Sequence, residues 1–459
     1  MLLTKIEEIR RILMSLNCEF ADVRFTTADS SSIVLSNDEI ENMGSGISQA
    51  GSIRIFDKGR WSFTSFNDFS GFEKFARAGM ENIGYMSPDA AKGLMSALPL
   101  KMNKVTDVQI DFTSVGIDEK YQMLCRYNRI LKNHEKIERT SVLYRDVHSD
   151  YCYLNTEGSE ITYDKYFCGV AFTSVAKNGT DIQPFHESIA GYGGFELVNN
   201  QDSAAENVIK TAVEMLSAEQ VKGGEYDVIL DQRMAGVFIH EAFGHLSEAD
   251  FVCNNDRMKS VMVLGKKFAP EFFNVIDDGN IENTTGYIPA DDEGILPEKT
   301  YLIKDGKLNA RLHSRETANM MKENVTGNGR AISAGAKPIV RMTNTYIENG
   351  QNTKEELFEN VKDGIYAVNF HGGQTNLEMF TFSSAYGYEI KDGKIGKLLK
   401  NVVLTGNVFE TLKNIKMLAN DREMYGGLGG CGKMGQSPLP VAMGGPHVLI
   451  EKVLIGGNQ

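Results

Sequence analysis

Two histidines flank a glutamate near the middle of the chain, in Val237-Phe-Ile-His-Glu-Ala-Phe-Gly-His-Leu-Ser-Glu-Ala-Asp250. Neutral imidazole ligates borderline metals such as zinc, and a glutamate beside it can act as a general base. In the helical zinc motif H-E-x-x-H the two histidines share one face. Here His240 and His245 are five residues apart around Glu241. An α-helix turns about 100° per residue, so a five-residue spacing leaves the side chains about 140° apart. Convergence on one ion then requires a π-type bulge, or a helix that ends between the histidines. Gly244, just before His245, eases either device, because glycine tolerates backbone angles that other residues resist. Without such a device the stretch reads as an ordinary buried helix with two satisfied histidines.

A catalytic zinc takes three protein ligands and keeps one position open for water. The best third donor is Cys431, in Gly426-Gly-Leu-Gly-Gly-Cys-Gly-Lys-Met-Gly435. A thiolate between glycines can approach an ion closely, and two His with one Cys form an accepted catalytic zinc set. The bland alternative is a small core thiol. The same run nearly spells the phosphate loop G-x-x-x-x-G-K-[ST]. Its last position is Met434, which has no hydroxyl for magnesium, and Gly435-Gln-Ser-Pro-Leu-Pro cannot open the helix that would hold phosphates. A nucleotide loop is therefore rejected.

Further blocks extend the pattern: Phe273-Asn-Val-Ile-Asp-Asp-Gly279, Asp291-Asp-Glu-Gly294, Thr326-Gly-Asn-Gly-Arg330, Arg341-Met-Thr-Asn-Thr345, Gly372-Gly-Gln374 and Cys431-Gly-Lys-Met-Gly-Gln436. With His240-Glu-Ala-Phe-Gly-His245, Glu248 and Asp250, they make the chain from about Tyr226 onward resemble the TldD/PmbA family, long described as modulators of DNA gyrase and now seen as metalloproteases. The N-terminal half resembles it more loosely, through its strand pattern and Asn155-Thr-Glu-Gly158. PmbA-type members lack the histidine motif, so the chain resembles the metal-bearing TldD type. It departs from the family at Leu246-Ser247, where Gly-Leu is expected, and at His371, where Gly is expected.

The combined reading is zinc-dependent hydrolysis of a peptide bond. His240, His245 and Cys431 hold one ion, which lowers the pKa of a bound water and polarises the scissile carbonyl. Glu241 takes the water's proton and passes it to the leaving amine. A thiolate ligand weakens the ion as a Lewis acid, which suits a slow, selective processing protease. The resemblance implies that unfolded or extended peptides bind as strands added to a sheet edge, inside a cavity formed by two subunits. The implied partner is a second copy of the chain, giving a homodimer, or a PmbA-type subunit, giving a heterodimer. The alternative from another class is a non-catalytic partner or scaffold, in which the metal only staples the helix to the Cys431 loop. That reading needs a fourth ligand, for which His447 and Cys253 are the nearest candidates.

Other polar residues carry two readings each. Glu248 and Asp250 either orient a ligand imidazole or form a solvated acidic turn. Asp291, Asp292 and Glu293 form either a hard-cation site or a solvated turn, with the turn favoured. Arg330 and Arg341 either clamp a substrate carboxylate or pair internally, with the second favoured. His148 and His186 have no partner at ligand spacing and read as structural or surface residues. Trp61 reads as a strand residue covering the core.

The 459 residues suffice for two or three domains, and the hydrophobic content of 42% is that of a globular protein. The formal charge of −13 repels phosphate backbones, which argues against direct nucleic-acid binding. No apolar run long enough to span a membrane and no signal-peptide centre is apparent. Six scattered cysteines lack disulfide or CxxC spacing, pointing to the reducing cytoplasm.

The elements that must position these groups give an α+β fold: an N-terminal α/β region with a mixed sheet and helices, then a mostly antiparallel, curved, barrel-like β domain carrying the metal-binding helix. The expected division is 1–86, a linker at 87–111, a central domain at 112–221 and a catalytic domain at 222–459. Three- and four-residue apolar spacing predicts helices over Leu2–Leu16, Phe72–Ile83, Asp118–Lys132 and Val208–Leu216. Alternation predicts separate strands at Ala21–Thr26, Ser32–Leu35, Ser52–Phe56, Trp61–Ser65, Ile137–His148, Tyr151–Leu154, Glu160–Tyr163, Phe167–Ala176, His186–Ala190 and Tyr226–Leu230. Asp57-Lys-Gly59, Ile303-Lys-Asp-Gly-Lys-Leu308 and Tyr388-Glu-Ile-Lys-Asp-Gly-Lys-Ile395 carry hairpin signals. Asp231 is the expected N-cap of the histidine helix.

Overall fold

A computed structural model describes residues 2–88, 93–376 and 378–456. The chain folds as α+β, with the N-terminal sheet curled into a half-barrel. Among the described residues that sheet has seven strands: β1 (Phe20–Ser36), β2 (Glu39–Asp57), β3 (Arg60–Phe66), β4 (Lys101–Lys104), β5 (Ile137–Asn155), β6 (Glu160–Asn178) and β7 (Asp181–Tyr192). They pair in the order β3-β2-β1-β5-β6, with β7 and β4 sharing the far edge of β6. Only β4 with β6 is parallel. Of the expected linker, residues 89–92 lie outside the described residues, and Lys101–Lys104 is a strand of the sheet.

The strands are longer than alternation predicts. Ala21–Thr26 and Ser32–Leu35 are one strand, and the predicted pairs within β5 and β6 also merge. The reason is that each strand crosses two cores. Val23, Phe25, Ile53, Cys152 and Leu154 pack under the helices Leu2–Met14 and Phe72–Ile83. Ile33, Leu35, Val142, Tyr144 and Val170 pack under the helices Ile117–Leu131 and Asp202–Met215. Between the cores the side chains turn polar while the ladder continues, so the hydrophobic pattern breaks where the hydrogen bonding does not.

The C-terminal half sets two sheets around one helix. A ten-stranded sheet runs from the edge strand Gly372–Asn376 through Met379–Ser383, Val403–Asn407 and Val448–Gly456 to Gly224–Leu230 and beyond. A six-stranded sheet contains Val275–Asp278, Asn344–Ile347 and Ala442–Gly445. Between them the helix Gln232–Ile239 buries Met234, Val237, Phe238 and Ile239. It lies so close to Ala442–Gly445 that a Cβ at Gly236 would stand 2.7 Å from the Gly444 nitrogen. The hairpin turns hold the geometry that their sequences require: Lys58-Gly59, Asp305-Gly306 and Asp392-Gly393 all have positive φ.

Strands β1 and β2 of the half-barrel meet the C-terminal half through buried ions. The Arg54 Nε donates to Asp22 Oδ1 at 3.0 Å and its Nη1 to Glu293 Oε1 at 2.8 Å. Arg24, fully buried, pairs with Asp292 at 3.1 Å. Asp291-Asp-Glu293 is thus not the solvated turn expected. Asp291 accepts from the backbone N–H groups of Glu293, Ile295 and Gly329, each at 2.9 Å. The counter-charges come from strands more than two hundred residues away in sequence, and local composition does not show them.

Candidate metal centre

Asp231 starts the histidine helix. Its Oδ1 accepts from the Met234 N–H at 2.8 Å, and its Oδ2 from the Asn369 N–H at 3.0 Å. The apolar run of Gln232–Ile239 continues into a π turn over His240–Gly244 and a 3-10 turn over His245–Ser247. The His245 N–H donates to the His240 carbonyl, five residues back. One added residue per turn thus brings the second histidine back onto the first one's face. Gly244 does not supply this through an unusual backbone: its φ of −56° and ψ of −54° are ordinary. It supplies space, because a Cβ there would lie 2.2 Å from Met342 Sδ.

The rings of His240 and His245 sit 5.1 Å apart at 82° to one another. Cys431 Sγ lies 3.3 Å from His245 Nε2, and one donor atom from each of His240, His245 and Cys431 falls within 4.8 Å of the others. Donors bound to a tetrahedral zinc at about 2.0–2.3 Å are separated by distances of this order. His240 is 2% exposed, and its Nδ1 is buried without a hydrogen-bond partner. A buried ring nitrogen without a partner, on a histidine that groups with a second imidazole and a thiol, suits a metal ligand, so the residues fit a metal ion. Glu241 places Oε2 3.9 Å from His245 Nε2, on the same side.

Cys431, His245 and Glu248 form one electrostatically coupled group. Burial pushes the Cys431 thiol up, but hydrogen bonding from His240 and His245 outweighs it and brings its pKa down to about 5. Burial alone would lower His245; the Glu248 carboxylate reverses this and holds the imidazolium well above its usual range. Glu248 is pushed up by burial, then brought to about 2 by His245 and Lys433. Its Oε2 stands 2.9 Å from His245 Nδ1, which leaves Nε2 facing the cysteine.

The other sequence candidates fall into clear places. Glu248 is 1% exposed, so the solvated-turn reading does not apply to it. Asp250 touches neither histidine: its Oδ1 accepts from Lys433 Nζ at 2.6 Å and its Oδ2 from the Val340 N–H at 3.3 Å. Arg330 and Arg341 are buried and meet no carboxylate among the described residues. Arg330 donates to the carbonyls of Met342 and Pro440. Arg341 donates to the Cys431 carbonyl at 2.6 Å and the Gln436 carbonyl at 3.1 Å. It therefore grips both strands of the hairpin Cys431–Lys433 and Gln436–Leu439, whose two-residue turn is Met434-Gly435. A strand follows where a phosphate loop needs a helix. His447 is held by Asp421 at 2.7 Å and Tyr366 at 2.9 Å, and Cys253 lies outside the donor group. Leu246 and Ser247 are buried, the Ser247 hydroxyl donating to the Phe243 carbonyl at 2.8 Å. His148 stacks on Tyr166.

Two clefts meet at the donor group. One, of about 510 Å³, is lined by His240, Glu241, Cys431, His371 and Tyr425. His186 of β7 also lines it, so this histidine, expected to be structural, reaches the site across the domain contact. The second cleft, of about 540 Å³, holds His245, Glu248, Gln374, Thr375 and Lys433. Glu241, Gly373, Gly430 and Cys431 line both. Among the described residues the strand Gly372–Asn376 ends its sheet and pairs only with Met379–Ser383, and Gly372, Gly373, Gln374 and Thr375 line the two clefts. Lys433 falls within the block Cys431–Gln436 but carries no role of its own in the sequence, and His186 has no signal that separates it from a structural or surface residue.

Comparison with known proteins agrees over the whole chain. Residues 21–83, 110–218 and 223–457 match, in order, domain 1, the central domain and the C-terminal domain of the PmbA/TldA metallopeptidases. A metalloprotease of Synechocystis sp. is 34% identical over 96% of this chain and 95% of its own. A zinc metalloprotease TldD homolog of Saccharolobus solfataricus is 28% identical over 96% of this chain and 97% of its own. Two solved structures share the fold. One is described as a modulator of DNA gyrase from Bacteroides thetaiotaomicron, with a TM-score of 0.79 at 18% identity, covering 99% of both chains. The other is TldE from Thermococcus kodakarensis, with a TM-score of 0.77 at 16% identity, covering 99% of this chain and 100% of that one.

Proposed function

The chain belongs to the PmbA/TldD metallopeptidase family, and on that footing we propose that it is a zinc-dependent peptidase that cuts extended peptides with Glu241 as general base. The observation that carries this is the placement of Glu241 beside three convergent donors, at the junction of two open clefts. His240, His245 and Cys431 would hold the ion, and zinc when bound supplies a Lewis acid and a water of lowered pKa. Glu241 accepts the proton of the attacking water and delivers it to the leaving amine. Glu248 keeps a proton on His245 Nδ1, so that Nε2 remains the donor. Lys433, 3.0 Å from Glu248 and 2.6 Å from Asp250, fixes the cysteine hairpin to the segment after His245. The free edge of Gly372–Asn376 takes the substrate by main-chain hydrogen bonding, which favours unfolded chains over any one sequence. A name given to one relative supports zinc as the metal.

A second subunit, either another copy or a PmbA-type chain, completes the enclosure in this reading. Among the described residues, 39–50 of β2 have no outer partner, since β3 pairs only with 51–57, and Ile40, Met43 and Ile47 are exposed on that stretch. All six cysteines are free thiols, which supports the reducing cytoplasm; no helix is long and apolar enough to cross a membrane among the described residues.

The test is zinc content and cleavage of an unfolded fluorogenic polypeptide. Wild type should carry about one zinc per chain. Cys431→Ala should lose most of it, and Glu241→Ala should keep it but stop cleaving. Full zinc in the first variant, or undiminished cleavage in the second, would overturn the assignment.

A further inference from the structure

Away from both clefts, a pocket of about 300 Å³ lies between the strands of the half-barrel and the C-terminal half. It shares no lining residue with the clefts at the donor group. Lys165 and Arg330 both line it. Lys165 Nζ has no hydrogen-bond acceptor and no carboxylate partner among the described residues. It meets only ring faces, 5.0 Å from the Tyr163 centroid and 5.2 Å from that of Tyr192. Arg330 spends two donors on main-chain carbonyls and pairs with no carboxylate.

The carboxylates nearby are already engaged. Asp292 accepts from the Tyr151 hydroxyl at 2.9 Å and the Ala331 N–H at 2.8 Å, and pairs with Arg24. Asp291 is saturated by three backbone N–H groups. Two cations thus line one pocket without an ion-pair partner of their own among the described residues. Arg330 is buried and Lys165 is half-buried, and partial desolvation of neighbouring like charges favours an anion between them. Burial, reinforced by Arg330, accordingly pushes Lys165 down to about 8. The stacked rings of Tyr151 and Tyr163, 4.5 Å apart and 9° from parallel, form a flat apolar wall beside the charges.

We propose that this pocket binds a small oxyanion, a carboxylate or a phosphate, between Lys165 and Arg330. Its volume matches about ten waters at roughly 30 Å³ each, room for a small organic acid but not for a folded partner or a nucleic-acid strand. Arg330 also holds the Pro440 carbonyl, and Leu439 and Pro440 line the pocket next to the strand that pairs with Cys431. An occupant therefore touches the far side of the cysteine hairpin.

Isothermal titration of the full chain with benzoate, inorganic phosphate and neutral benzamide tests this. One saturable site is expected for benzoate or phosphate and none for benzamide. Lys165→Met should weaken the anion by about tenfold or more, and Lys165→Arg should retain it. Zinc content should be the same in both variants, because Lys165 touches neither cleft at the metal donors. Binding of benzoate assigns a carboxylate, and binding of phosphate alone assigns a phosphoryl group. Absence of both, or equal affinity in wild type and Lys165→Met, overturns the proposal.

Discussion

Replacing Gly244 by alanine separates two explanations of how the histidines converge. If glycine were needed for its backbone, alanine would strain the turn whatever its neighbours. The angles of −56° and −54° are helical, so alanine should gain about 1 kcal/mol of helix propensity there. What opposes it is the Met342 sulfur, 2.2 Å from the new Cβ and fully buried. Overpacking of this kind costs roughly 1–3 kcal/mol. Gly244→Ala alone should therefore be neutral to destabilising by about 2 kcal/mol, and should displace the 3-10 turn that carries His245. In a Met342→Ala background the clash is gone and the same change should stabilise by up to about 1 kcal/mol. A double-mutant cycle by urea denaturation, with zinc binding measured in parallel, should give a coupling of about 1–3 kcal/mol. Equal effects of Gly244→Ala in the two backgrounds would refute the steric account and restore the conformational one.

Three further outcomes follow from the same geometry. Glu248→Gln should weaken zinc by roughly 10- to 100-fold in chelator competition, since it removes the charge that orients His245; unchanged affinity would mean that the backbone alone sets the ring. Arg54→Met strands Asp22 and Glu293 in the domain contact and should cost about 3–5 kcal/mol in thermal unfolding, whereas the triple change Asp22→Asn, Arg54→Met, Glu293→Gln should recover much of it. Lys165 titrates near 10.5 when unfolded and about 8 when folded. Below pH 8 it is charged in both states and the folded chain bears the burial cost; between pH 8 and 10.5 the folded lysine sheds its proton first, and the cost fades. Lys165→Met should thus be about 1–3 kcal/mol more stable than wild type at pH 7, with the advantage shrinking above pH 8. A difference that is flat with pH would exclude this cause.

The donor group was readable because its chemistry is written in residue types: two imidazoles, a carboxylate, and a thiol between glycines. How they meet was readable only as a choice between two devices, since a π turn is selected by tertiary packing. The role of Gly244 depends on Met342, nearly a hundred residues later, and no local pattern reports that distance. The hairpins at Asp305-Gly306 and Asp392-Gly393 were legible from their turn residues, while Met434-Gly435 forms the same kind of turn without the usual asparagine or aspartate. Arg330 and Arg341 looked like carboxylate clamps or internally paired residues; they are held internally, by the carbonyls of Met342, Pro440, Cys431 and Gln436, all distant in sequence or invisible to local pattern. Breaks in alternation within β1, β5 and β6 mark the gap between two cores, which a one-dimensional pattern cannot distinguish from a loop.

The cysteine follows His245 by 186 residues. A ribosome therefore releases both imidazoles into folding long before the sulfur exists, and the centre stays inert while most of the polypeptide is still being made. Any truncation upstream of the hairpin therefore removes one of the three convergent donors.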